Sequence, residues 1–192
     1  NSLDEYSIAS IIDQGACIDS FGVGERLITA KSDPVLGGVY KIAYIEKDGV
    51  CRPTIKVSES VEKITNPGRK KVYRIYDNTG HAVCDLIALE GEAVDMSAPY
   101  RVVDPLMPWK DIRLKDCTAK ELLHPVIVDG RRVSPPRDLR EIRDYVERQL
   151  RDEIWQEEQR FENPHRHHMD MTPAYYEFKM DLLRRTSDTY DL

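Results

Sequence analysis

No run of apolar residues in this chain approaches the roughly 20 that a membrane span requires. Its amino end, Asn1-Ser2-Leu3-Asp4-Glu5, has neither the basic nor the apolar stretch of a secretory leader. Neither a membrane role nor export is expected. CxxC pairs are absent as well: Cys17, Cys51, Cys84 and Cys117 stand more than thirty residues apart. Isolated thiols at that density fit a reducing cytoplasm better than a disulfide framework. Positive charge is in deficit, with a net charge of −6, so nucleic acid or an anionic lipid surface would need a local basic patch to bind. Phe and Trp are scarce, and Tyr73, Tyr76, Trp109 and Trp155 read as packing residues rather than a base-stacking platform. There is no internal repeat, no low-complexity linker and no initiator Met. An opening directly on a helix cap is expected of a segment of a larger chain.

What is present is an ordinary globular balance with three textures. Residues 1–36 read as helix, strand, glycine turn and a short further segment. Ser2 and Glu5 form a capping-box pattern before a helix over residues 3–14, whose apolar face is Leu3, Ile8, Ile11 and Ile12. Gly15 suits the position just past its end. Residues 16–21 read as a strand leading into Gly22-Val23-Gly24. Helix, strand and glycine turn in that order are the grammar of an α/β unit.

Residues 37–128 are expected to be mainly β. Strands are predicted over residues 39–45 and 54–57 around the hairpin signal Asp48-Gly49. A second pair is predicted over residues 71–76 and 82–89 around Asp77-Asn78-Thr79-Gly80, with Asn66-Pro67-Gly68 as a turn and residues 122–128 as a further strand candidate. Residues 129–192 are expected to be helical. Leu139, Ile142, Val146, Leu150 and Ile154 make one apolar stripe, and Thr172-Pro173 opens a last helix carrying Tyr175, Phe178, Met180, Leu182 and Leu183 as packing residues.

The glycine turn carries the most specific chemistry. A G-x-G turn after a strand exposes backbone N–H groups with no side chain in the way, and a following helix amino end adds positive potential. By itself the pattern is more often a structural turn. In an α/β barrel, however, phosphate is commonly held by the loops after the last two strands. Asn1-Ser2 and the run from Gly22 to Arg26 would be those loops; otherwise Asn1-Ser2 is a helix cap that binds nothing.

Several ordered motifs resemble the late portion of nicotinate phosphoribosyltransferases. They are Leu3-Asp4-Glu5, Phe21-Gly22-Val23-Gly24-Glu25-Arg26-Leu27-Ile28-Thr29, Gly37-Gly38-Val39-Tyr40-Lys41, Lys63-Ile64-Thr65-Asn66-Pro67-Gly68-Arg69-Lys70, Leu123-His124-Pro125-Val126 and Asn163-Pro164-His165-Arg166. The resemblance implies an α/β fold, α+β overall: the last portion of a TIM-like barrel, a β-rich element packing on an amino-terminal domain, and a helical tail. It further implies a homodimeric enzyme that joins nicotinate to 5-phosphoribosyl 1-diphosphate, using Mg²⁺ and ATP hydrolysis through a phosphohistidine. Asn1, Ser2, Gly22, Val23, Gly24 and Glu25 are then expected to face the phosphoribosyl group, with Arg26 and Lys41 as candidate cations.

Many family members carry Thr where Glu25 stands, and a carboxylate beside a phosphate would repel it. A non-catalytic interaction or regulatory module derived from such an enzyme is therefore the competing expectation. The family's phosphorylated histidine and base-clamping arginine match no residue here, so no catalytic residue is expected downstream of Asn1. The isolated chain is expected to be inactive. Choice among nicotinate, nicotinamide and quinolinate also rests on that upstream portion. The run His165-Arg166-His167-His168 invites a metal reading, but adjacent histidines point apart and no Cys or acidic ligand has supporting spacing. A polar connection between two helices is expected there.

Overall fold

The computed structural model describes residues 2–35, 37–60 and 63–187. It is a mixed α and β structure in two compact units, Asn1–Tyr40 and Lys41–Leu192. In the first unit, α1 spans Glu5–Asp13 and α2 spans Glu25–Thr29. The cap of α1 is Asp4 rather than Ser2: its carboxylate accepts the Ser7 N–H at 2.9 Å, while the Ser7 hydroxyl accepts the Asp4 N–H at 2.9 Å. Ser2 lies outside the helix with φ +58°. An aspartate at that position outcompetes it because a carboxylate both accepts the orphan N–H and complements the helix dipole. At the other end Gly15 takes φ +84°, and the Gly15 and Ala16 N–H groups bond to Ile12 and Ile11, closing the helix as anticipated.

The strand expected over residues 16–21 does not form. Strand propensity becomes structure only when a neighbouring strand accepts its N–H and C=O groups, and no ladder partner stands beside this segment among the described residues.

The second unit begins with β1 (Tyr44–Lys47) and β2 (Val50–Pro53), joined through Asp48 at φ +53° and Gly49 at φ +75°. Positive φ at both central residues is the type I′ geometry that suits strand twist. The turn fixes the register, so the ladder reaches from Tyr44 to Pro53. The strands expected over 39–45 and 54–57 are thereby displaced toward the turn.

A mixed sheet of four strands, ordered β10-β4-β3-β7, organises the rest. It comprises β3 (Lys70–Tyr76), β4 (Ala82–Leu89), β7 (Thr118–Glu121) and β10 (His168–Met171). Alternation along β4 explains its two faces. Cys84 and Leu86 join Ile75 and Val102 in one core cluster, packed against Tyr100, Ile112 and Leu114 of the small β5 (Tyr100–Val102) and β6 (Ile112–Leu114) pair. Ile87, on the opposite face, packs with Met171 and Tyr175 under α4 (Pro173–Ser187). The strand expected over residues 122–128 is replaced by β7 before it and by β8 (Ile127–Val128), which turns through Asp129 and Gly130 into β9 (Arg131–Arg132).

Residues beyond 129 are not only helical. α3 (Leu139–Asp152) begins at a capping box of Asp138 and Glu141. Its apolar stripe is exposed, from 44% at Ile142 to 78% at Leu139. The segment after it, expected to be a polar connection between helices, supplies β10, which adds to β4 in parallel. Thr172 then starts α4, its hydroxyl accepting the Tyr175 N–H at 3.1 Å ahead of Pro173 in the first helical turn.

Asn66-Pro67-Gly68 is the notch that receives α4. The Tyr175 hydroxyl donates to the Pro67 carbonyl at 2.9 Å, and Lys179 donates to the Asn66 side chain at 2.7 Å. Gly68 sits at φ +80°, and a Cβ there would lie 3.0 Å from the Phe178 ring. Gly68→Ala is therefore expected to cost about 1–3 kcal/mol from the left-handed backbone alone, more if Phe178 must shift. A denaturant titration with an unchanged midpoint would contradict this.

Candidate functional site

In the first unit, the glycine turn is open to solvent. Gly22 and Gly24 are exposed, and nothing lies within 4 Å of where a Cβ would sit on either. Gly24 starts α2 with no side-chain cap. Glu25 is exposed as the first residue of that helix, whereas Val23 and Arg26 are half-buried. Asp4 is held below the usual carboxylate range first by the Ser7 backbone bond and then by the Ser7 hydroxyl, and the positive charge of Arg26 adds to this. Glu5 meanwhile accepts a hydrogen bond from Ser32, which ties the start of α1 to the segment after α2.

The candidate residues thus fall into distinct situations. Asn1 lies outside the described residues. Ser2 is exposed beside α1, and the cap of that helix is Asp4, which accepts the Ser7 N–H. Lys41 is exposed and belongs to the second unit.

The second unit contains a cleft of about 770 Å³ beside the edge strand β10, lined among others by Asn66, Asp104, Met107, Arg166, His168 and Lys179. Its histidines differ sharply in role. His167 is wedged between carboxylates, with Nδ1 3.1 Å from Glu158 and Nε2 3.5 Å from Asp85. Asp85 itself is held by Arg74 through two bonds of 2.8 and 3.0 Å. His168, one residue on, points to the other side, where its ring, Asp104 and Asp170 bring donor atoms within 4.8 Å of one another. Sequence reading missed Asp104 and Asp170. The available signal was the i, i+2 spacing of His168 and Asp170, which shares a face once residues 168–171 are read as a strand.

A family model described as the nicotinate phosphoribosyltransferase C-terminal domain matches residues 69–179, more than half of the chain. The chain belongs to that family. It is similar to the nicotinate phosphoribosyltransferase of Bacillus subtilis, 36% identical over 181 residues that cover 94% of this chain and 37% of that protein. The Caenorhabditis elegans nicotinate phosphoribosyltransferase is 34% identical over 181 residues, covering 93% of this chain and 31% of that protein. A crystal structure of human nicotinic acid phosphoribosyltransferase has the same fold over 95% of this chain and 32% of its own, with a TM-score of 0.71 at 20% identity. The chain therefore spans little more than a third of the first of these relatives. The family match includes β3 through the first half of α4, so the sheet, the His167 carboxylate clasp and most of the β10 cleft lie in the matched region.

Proposed function

We propose that this chain is the carboxyl-terminal part of a nicotinate phosphoribosyltransferase, acting in NAD salvage. The observation that carries the proposal is that relatives from a bacterium and a nematode, similar over more than nine-tenths of this chain, bear that one name. In this reading the reaction joins nicotinate to 5-phosphoribosyl 1-diphosphate in the reducing cytoplasm, with ATP hydrolysis coupled to it in a ligase-type reaction and active sites completed in a homodimer. Residues 1–36 would form the end of a TIM-like barrel, residues 37–128 would pack on an amino-terminal domain, and residues 129–192 would close the chain.

The role assigned to this chain's own residues is to hold the 5′-phosphate. An open glycine turn lets main-chain amides approach phosphate oxygens, and a fixed phosphate positions the anomeric carbon remote from the bond being broken. Asn1, Ser2, Gly22, Val23 and Gly24 would supply the backbone and Arg26 the charge. Glu25, being exposed, would contribute its N–H and keep its carboxylate in water. Mg²⁺ would enter with the substrate's diphosphate.

Arg26→Ala in the intact protein is expected to raise KM for the phosphoribosyl donor roughly tenfold or more, the loss of one charge-assisted bond. KM for nicotinate should change little. An unaltered donor KM would remove Arg26 from the site. The carboxylate of Glu25 beside the glycine turn favours a second reading, a non-catalytic module derived from the enzyme. Failure of the intact protein to form a mononucleotide from nicotinate, nicotinamide or quinolinate would select it.

A further inference from the structure

We propose that Asp104, His168 and Asp170 form a binding site for a divalent transition-metal ion, open to the cleft beside β10. The arrangement follows from strand geometry. His168 and Asp170 are alternate residues of one strand and so share a face of the sheet. Val103 bridges Met171 in antiparallel fashion, with reciprocal N–H to C=O bonds of 2.8 and 2.9 Å. The residue after Val103 therefore stands opposite the residue before Met171, which sets Asp104 beside Asp170. Donor atoms of all three residues lie within 4.8 Å of one another.

Burial gives the independent observation. Asp170 is only 4% exposed, and its Oδ1 is buried with no hydrogen-bond partner. Asp104 is 5% exposed, with one oxygen accepting the Leu106 N–H at 2.8 Å. Buried carboxylates ordinarily have an Arg, Lys or metal partner, because an orphaned oxygen loses its hydration without replacement. Burial most of all, and then the neighbouring Asp104, push the Asp170 carboxyl up; a hydrogen bond from the Cys84 thiol, then His168 and His167, act against them, and no Lys or Arg is among the leading influences. A dication would cancel two carboxylates and satisfy the orphaned oxygen.

The donor set specifies the ion. Two carboxylates with one imidazole suit Zn²⁺ or Mn²⁺ better than Mg²⁺, which favours oxygen alone. Three protein ligands leave coordination positions for water or an incoming oxygen ligand, as in open rather than closed zinc sites. Metal bonds of about 2.0–2.2 Å would draw the donors closer together. The two aspartates are fixed by strand pairing, so the exposed His168 ring is the element that swings in.

The test is binding to the intact protein after treatment with chelator, so it requires no turnover and is independent of the proposed function. Calorimetric titration is expected to show one equivalent of Zn²⁺ or Mn²⁺ per chain, with Mg²⁺ far weaker. His168→Ala, at an exposed position that should leave folding intact, is expected to weaken binding by at least about tenfold. Asp170→Asn should abolish it. Co²⁺ absorption bands that shift in His168→Ala would report imidazole ligation. The rival arrangement is a proton shared between the two carboxyls. It predicts no saturable binding, and no gain in Tm on adding Zn²⁺ or Mn²⁺ to the wild-type protein. Either result, or full affinity retained in both variants, would overturn the metal site.

Discussion

Tyr175→Ala should lower stability by about 3–5 kcal/mol, the range for removing a large aromatic from a packed core. Tyr175 is fully buried between Ile87 and Met171, and its ring lies 6.1 Å from that of Phe178. Its hydroxyl also reaches the Pro67 carbonyl, so truncation both opens a cavity and strands a buried acceptor. A domain of this size shifts by roughly 2–4 °C per kcal/mol, which predicts a fall in Tm on the order of 10 °C. Tyr175→Phe separates the two contributions: it keeps the ring, loses one hydrogen bond, and should cost only about 0.5–1.5 kcal/mol. Similar Tm values for the Ala variant and the wild type would mean that α4 does not depend on this anchor.

The second large effect concerns Arg74. Burial alone would raise the Asp85 carboxyl, but the paired bonds from Arg74, aided by His167, bring it below the ordinary 3.8. Both side chains are mostly shielded, at 18% and 15% exposure, so the pair is screened less than a surface bridge. Arg74→Met leaves a carboxylate in the sheet with the His167 ring still 3.5 Å from it. The expected cost at neutral pH is about 2–4 kcal/mol, somewhat under the range for fully buried pairs. The sign with pH follows from linkage. A depressed folded-state value contributes stability that is complete above the unfolded value and disappears as pH falls through the folded one. The gap between wild type and Arg74→Met should therefore close in acid, below about pH 3.8. A gap that persists unchanged at pH 2 would rule out the ionised pair as its source. Arg74→Met combined with Asp85→Asn should recover much of the loss, because a neutral amide does not need a cation.

Local rules served well where the chain decides matters within a few residues. The Asp48-Gly49 hairpin, the glycine stop of α1, the Thr172-Pro173 start of α4 and the β3 and β4 pair were all legible, since turn backbone, caps and alternation are encoded in adjacent side chains. They failed where a distant partner decides. Residues 16–21 have strand composition but no neighbouring strand among those described. Residues 168–171 have little strand character, with two polar residues of four, yet become a strand because β4 leaves an edge that they fill. Ser2 lost the cap of α1 to Asp4, a shift of two positions that sequence alone could not decide between two good capping residues.

The candidate site shows the same division. The glycine turn and Arg26 were candidates from sequence because they are near-consecutive residues, and the turn is indeed open to solvent. His168 was visible only as part of a histidine run, and its neighbours separated what the sequence had grouped: His167 turned to Asp85 and Glu158, His168 to Asp104 and Asp170. Strand alternation sends successive side chains to opposite faces, so a cluster in sequence became two unrelated environments in space.

By itself, then, the order of residues determined the family, the hairpin turn at Asp48-Gly49, the glycine stop of α1 and the start of α4. Tertiary structure alone decided that β10 completes the sheet, that α4 rests on the Asn66-Pro67-Gly68 notch, and that Asp104 stands beside Asp170, 66 positions away in the chain. The reason is that such pairings depend on hydrogen-bond groups and surface left unsatisfied elsewhere in the fold, which no local window of sequence contains.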